Sequence, residues 1–262
     1  MVVIEDYSRF INDISASRKP TAIRALMKLT STPGMISLGG GLPNPTTFPI
    51  DSLQFTTKAG KTLLVESADL NDGLQYSPTP GMPALVEWLR KLQEHVHKPL
   101  VDVDICIGGG SQDVLSKAFD MLLRPGDHVL VESPAYVGIL GHLKPYKLNY
   151  HIVPIDSQGL DPEAMHQVLS NWPDERTRPR VLYTVPVAGN PTGITTTLTR
   201  KREIYKLAQE YNVLILEDDP YFYLQFGDQV PSYLSLDTDG RVLRFDSLSK
   251  ILSAGIRLDC LI

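Results

Sequence analysis

From about residue 51 onward, short apolar runs alternate with longer amphipathic segments, and this alternation limits the fold more than any other feature of the chain. Segments 103–107, 128–132, 150–154, 181–185, 213–217 and 242–245 are strand-like, each too short for a helix and rich in Val, Ile, Leu or Tyr. Between them, 82–95, 112–123, 161–170 and 201–211 read as helices, with Leu85, Trp88, Leu89 and Leu92 recurring on one side of the first. Ser111 is placed to cap the 112–123 helix, which stops before Pro125-Gly126. Strands apolar along their length and separated by helices imply an α/β fold, a mostly parallel sheet with helices on both faces. At 262 residues and 42% hydrophobic, the chain can bury a large core in one big domain or two modest ones.

Residues 1–50 read differently. Helices are expected over 7–16 and 22–29, followed by Gly39-Gly40-Gly41-Leu42-Pro43-Asn44-Pro45, whose glycines and prolines exclude regular structure. The expected organisation is an N-terminal arm over 1–50 and a ligand-binding domain over 51–262. A net charge of −5 offers no basic footprint for nucleic acid, and no apolar run is long enough to cross a membrane. Two cysteines, Cys106 and Cys260, exclude a disulfide scaffold and suit a reducing compartment. Glu5, Asp6 and Asp13 near the start, with no apolar signal core, suggest a cytoplasmic protein.

In open α/β sheets ligands bind beyond the carboxyl ends of the strands. Five such ends are polar or glycine-rich here: Gly108-Gly109-Gly110, Ser133-Pro134-Ala135-Tyr136, Pro186 to Asn190, Asp218 to Tyr221, and Ser247-Leu248-Ser249-Lys250. Gly108 to Gln112 opens a helix, where free N–H groups favour a phosphate; a tight turn is the alternative. A carboxylate after strand 213–217 suits a protonated ring nitrogen, but Glu217, Asp218 and Asp219 are adjacent and composition does not choose among them. A metal reading is weaker, because His95 and His97 lie at a helix end far from this rim and read as solvated. Lys250 lies among small residues that leave room for a planar ligand, although taken alone it reads as a solvated surface charge; Arg257 reads equally as a surface cation or as a two-pronged clamp for an anion. Tyr136 offers a flat face for stacking. An amine for an aldehyde, an amide for a phenolic oxygen and a carboxylate for a ring nitrogen, in this order, are the parts of a pyridoxal-phosphate site.

The chain resembles the fold-type I pyridoxal-phosphate aminotransferases, and within them the α-aminoadipate/kynurenine group. The resemblance rests on Met35 to Pro45, Leu74 to Pro78, Gly110-Ser111-Gln112, Pro134-Ala135-Tyr136, Gly189-Asn190-Pro191-Thr192-Gly193, Glu217 to Phe222 and Asp246 to Lys250. It implies that Lys250 holds the cofactor and shuttles the proton, that Asp218 pairs with the ring nitrogen, and that Asn190 and Tyr221 face the phenolic oxygen. Tyr136 would stack on the ring. Ser111, Gln112, Ser247, Ser249 and Arg257 would surround the phosphate, joined by Tyr76 of the partner subunit in a homodimer. Arg24, Gly41 and Leu42, with Tyr76 and Asn190, would line the substrate pocket. The implied reaction moves an amino group from 2-aminoadipate, kynurenine or an aromatic amino acid to a 2-oxo acid such as 2-oxoglutarate.

Family members continue well past the arginine matching Arg257, whereas this sequence stops at Ile262. The resemblance therefore implies that the C-terminal small domain, with its arginine for the substrate carboxylate, is missing. It also implies that the strand after Lys250 is cut short, leaving sheet edges unpaired. An inactive chain serving at most as a dimerisation partner is the alternative, and a lyase or decarboxylase using the same Lys250 and Asp218 is a third reading.

Overall fold

A computed structural model describes residues 3–22, 32–36 and 41–262, and the chain packs as two units, Ser17–Leu85 and Met1–Ala16 with Val86–Ile262. In the smaller unit, β1 (Ser52–Thr56) and β2 (Thr62–Glu66) form an antiparallel hairpin, with Ser52 opposite Glu66 and Thr56 opposite Thr62. Gly60 turns it at φ +80°, a conformation open to glycine at little cost. Helix Ser67–Leu74 follows.

The larger unit is built on β3 (Cys106–Gly108), β4 (His128–Ser133), β5 (Asn149–Asp156), β6 (Gly159–Leu160), β7 (Val181–Thr184), β8 (Leu214–Asp218), β9 (Val242–Ser247) and β10 (Asp259–Leu261). Their order across the sheet is β3-β10-β9-β8-β7-β4-β5-β6. The central run from β9 to β5 is parallel, and antiparallel pairing is confined to β10 and β6. The expected mostly parallel α/β sheet is therefore present. The four residues of β7 and all five of β8 are buried, as strands covered on both faces must be.

β10 corrects one expectation. It is short, but it inserts between β9 and β3 and pairs on both edges: Asp259 lies opposite Ser247 and Gly108, and Leu261 opposite Phe245 and Cys106. Ile262 and Arg244 exchange backbone hydrogen bonds of 2.9 Å in both directions. Three residues suffice because a strand in this position addresses both neighbours with alternate backbone groups.

Helices differ from expectation where a polar side chain intervenes. Only Asp13–Ala16 of 7–16 is helical. Asn12 stops it, because its buried amide donates to the Asp120 and Leu123 carbonyls at 2.7 and 3.0 Å and its Oδ1 accepts from Ser15 N. Most of 22–29 lies outside the described residues. In Pro83–Val96, Trp88 is 54% exposed, and the buried positions are Leu89 and Gln93, the latter donating to Asp246 Oδ2 at 3.0 Å. Ser111 does not cap Ser111–Leu122; Gly110 occupies the N-cap at φ +116° and Ser111 is the first helical residue. Val137–Leu143 is a further helix, following Tyr136.

The apolar core lies on the face covered by Ser111–Leu122 and Val137–Leu143, where Val114, Phe119, Ile139, Val131, Tyr183, Leu216 and Phe245 pack together. Among the described residues, no helix is long and apolar enough to cross a membrane.

Candidate active site

β4, β7, β8 and β9 run in one direction, and β3 shares it because two antiparallel reversals at β10 cancel. Their carboxyl ends therefore open on one rim. Strand alternation separates the three adjacent acids there. Glu217 and Asp219 face Arg244, at 3.2 and 2.7 Å, and all three side chains are fully buried. Glu217 also accepts from the backbone N–H of Tyr233 at 2.7 Å and of Leu234 at 3.2 Å. Asp246 lies 3.7 Å from Arg244 on the same side and accepts from the Tyr223 hydroxyl at 2.8 Å.

Asp218 points to the opposite face. Its Oδ2 accepts from the Tyr183 hydroxyl at 2.6 Å, and its Oδ1 is buried without a partner. Burial pushes its carboxyl up to about 7, aided by the charges of Asp219 and Asp259 and opposed by the Tyr183 hydrogen bond. A buried oxygen with no donor costs free energy unless something else supplies one. Asp219 Oδ1 is also buried without a partner, but Asp219 is ion-paired with Arg244, so of the three acids only Asp218 lies off the Arg244 face with an oxygen to spare.

His97 is not solvated. It is buried against Phe222, with ring centroids 4.6 Å apart, and its Nδ1 shares a 2.8 Å hydrogen bond with the Ser232 hydroxyl. Burial, then the charges of Arg244 and Lys201, push its imidazole down to about 2. His95 is exposed, as expected.

Lys250 is exposed in the turn after β9, with Nζ 5.9 Å from the centroid of the half-buried Tyr221 ring. Ser247 is buried, and its hydroxyl accepts from Ser249 N at 3.2 Å, which holds the turn. Arg257 crosses to the start of Ser111–Leu122, donating from Nε to Gly109 O at 3.2 Å and from Nη1 to Ala254 O at 3.2 Å. Its guanidinium fills the space a side chain on Gly110 would need, so Gly110 is required there both by φ and by contact. Beside it, Gln112 Nε2 is a buried donor with no acceptor. Cation, helix start and spare donor together form a cradle for an anion.

Tyr136 ends the loop after β4 and is half-buried, its ring lying over Gly138, where a Cβ would collide with it. Asn190 is half-buried in the turn after β7, which Gly189 N closes on Ile194 O at 2.8 Å. Both loops contain a cis peptide, Ser133–Pro134 and Asn190–Pro191. Ser111, Gln112, Tyr136, Asn190, Asp218, Tyr221, Ser247, Ser249, Lys250 and Arg257 are thus all carried by the larger unit. Gly41, Leu42 and Tyr76 belong to the smaller unit and are exposed, and Arg24 lies outside the described residues. Sequence reasoning missed Tyr183 and Asp259. Tyr183 could have been found as the residue whose place in β7 puts it on the face of Asp218.

Residues 47–260 match the family described as aminotransferase class I and II. The mitochondrial kynurenine/alpha-aminoadipate aminotransferase of Rattus norvegicus is 45% identical over 97% of this chain and 64% of its own length. Aminotransferase tdiD of Emericella nidulans is 44% identical, over 93% of this chain and 59% of its own. Among solved structures, aminotransferase Aro8 from Candida albicans matches 100% of this chain and 64% of its own, with a TM-score of 0.92 at 27% identity. Kynurenine aminotransferase of Pyrococcus horikoshii, solved with PMP, matches 98% of this chain and 63% of its own, with a TM-score of 0.71 at 32% identity. The chain therefore spans less than two thirds of the length of these relatives. It belongs to the class I and II aminotransferase family.

Proposed function

We propose that this chain carries the cofactor-binding part of a pyridoxal-phosphate aminotransferase. It would move an amino group from an amino acid of the 2-aminoadipate, kynurenine or aromatic type to a 2-oxo acid such as 2-oxoglutarate. The observation that carries the reading is the unpartnered, buried Oδ1 of Asp218 on the strand-end rim that also bears Lys250. A protonated ring nitrogen is the donor that this oxygen lacks. The spare Gln112 donor and the Arg257 guanidinium over Gly110 fit a phosphate equally well.

Pyridoxal phosphate, when bound, supplies an aldehyde that takes up amines and a cationic ring that absorbs charge from a substrate α-carbon. The residues do the rest. Lys250 would be the amine that holds the aldehyde, and its Nζ would serve as the tethered base that takes and returns a substrate proton, where position counts for more than basicity. Asp218 would keep the ring nitrogen protonated, with Tyr183 orienting Asp218 through its hydroxyl. Asn190 and Tyr221 would serve the phenolic oxygen, and Tyr136 would stack on the ring. Ser111, Gln112, Ser247, Ser249 and Arg257 would hold the phosphate. In a homodimer, Tyr76 of the partner subunit would join them, and Arg24, Gly41 and Leu42 would serve the substrate. An inert chain is the weaker reading, because β10 pairs on both edges and leaves the sheet beneath the rim intact.

The test is capture. Folded protein is incubated with pyridoxal phosphate, reduced with borohydride and mapped by peptide mass. One adduct, on Lys250 and absent from Lys250→Ala, is expected, together with glutamate formed from 2-oxoglutarate and 2-aminoadipate or kynurenine. Folded protein without that adduct overturns the reading.

A further inference from the structure

One acid at the rim has no role in the chemistry above. Asp259 opens β10 and sits directly between Gly108 of β3 and Ser247 of β9. It is 1% exposed, and neither carboxylate oxygen completes a hydrogen bond. The groups that favour its ionised form are the Ser247 side chain, the Arg257 guanidinium and the backbone N–H of Ser111, although burial outweighs them and pushes the carboxyl up. These three are also phosphate-facing groups of the proposed site.

We infer that Asp259 is a built-in rival for the phosphate cradle, an internal anion that weakens cofactor binding unless it takes up a proton. The inference rests on the cofactor reading above. Two like charges sharing one set of donors cannot both stay ionised at low cost. The phosphate keeps its charge because Arg257 and the helix start address it from solvent, so the buried carboxyl is the group that yields. The other charged groups around Asp259 do not relieve it. Asp246 on β9 and Asp218 at the end of β8 are acids, and Asp113 in the first turn of Ser111–Leu122 is engaged by Lys117 and Gly109 N. Cofactor binding then carries about one proton with it, and the apparent affinity falls as pH rises.

The experiment is a titration of wild type, Asp259→Asn and Asp259→Ser with pyridoxal phosphate at pH 6 and pH 8. Occupancy is read as borohydride-stable label on Lys250. The expected result is half-saturation at roughly tenfold or more lower cofactor in Asp259→Asn at pH 8, with a smaller gap at pH 6. Pyridoxal, which lacks the phosphate, should show no such gap. Should neither variant fold, wild type alone decides. Its preference for pyridoxal phosphate over pyridoxal should fall between pH 6 and pH 8, against the trend of a phosphate gaining charge. Labelling of Lys250 at the same half-saturation in wild type and Asp259→Asn at both pH values overturns the inference and leaves the cofactor reading intact. A flat or rising phosphate preference in wild type overturns it too. No labelling in any folded protein removes both.

Discussion

Asp218→Asn should move stability and cofactor affinity in opposite directions. In the cofactor-free protein Asp218 is a buried acid whose carboxyl is pushed from its ordinary 3.8 up to about 7, chiefly by desolvation. A folded-state value above the unfolded one means that the folded state holds the proton more tightly. Below about pH 4 both states are protonated and Asp218 is neutral in its effect. Between 4 and 7 the unfolded chain releases the proton first, so stability falls by about 1.4 kcal/mol per pH unit, and above 7 the full penalty of about 4 kcal/mol persists. Asparagine keeps an acceptor for the Tyr183 hydroxyl but carries no charge. It should therefore stabilise the cofactor-free protein, and its advantage should be about 3 kcal/mol larger at pH 8 than at pH 5. Thermal melts at the two pH values should show the gap widening by several degrees. Loss of a charge-assisted hydrogen bond worth roughly 1.5–3 kcal/mol should meanwhile weaken the cofactor about 10- to 100-fold. An advantage that does not grow with pH would show that Asp218 is not a strained acid, and undiminished cofactor affinity would show that its free oxygen does not serve the ring.

Three further substitutions and titrations probe the same rim and its supports. Arg244→Met leaves fully buried Glu217 and Asp219 without their cation and should cost about 3–5 kcal/mol in denaturant unfolding; a loss below about 1 kcal/mol would mean that the network is solvated. Gly110→Ala should displace Arg257 and weaken the cofactor while far-UV circular dichroism is unchanged, and normal affinity would place the phosphate elsewhere. His97, pushed down to about 2, should stay neutral, so its ring resonances should not titrate between pH 8 and pH 5.

The sheet was legible because its central strands are apolar from end to end, a pattern that only burial on both faces explains. The rim was legible because five strand ends carry polar or glycine-rich groups in order. Three features are set by long-range contacts instead. The choice among Glu217, Asp218 and Asp219 depends on which strand face meets Arg244, and that cation is twenty-five residues downstream of Asp219 on another strand. The burial of Gln93 and His97 in place of Trp88 depends on polar partners, Asp246 and Ser232, that helical periodicity cannot see. β10 is only three residues long, and its place between β3 and β9 is a long-range pairing with no local signal.

Alternation along β8 and β9 also explains how one short segment does structural and chemical work without conflict. Glu217, Asp219, Arg244 and Asp246 turn to one face, where opposite charges lie within 4 Å and are sealed from water. Asp218 and Ser247 turn to the other, with Tyr183 and Asp259 supplied by strands on either side. The strand backbone thus holds Arg244, the nearest buried cation, on the face away from Asp218. Had Asp218 shared that face, an ion pair would have held its carboxyl low and left no oxygen for a ligand. The cost is a rim with more acid than base, a cost that a cationic ring at Asp218 removes and a phosphate beside Asp259 increases. On the proposed reading, cofactor affinity would be a balance struck at two carboxyls, and the variants Asp218→Asn and Asp259→Asn should shift it in opposite directions.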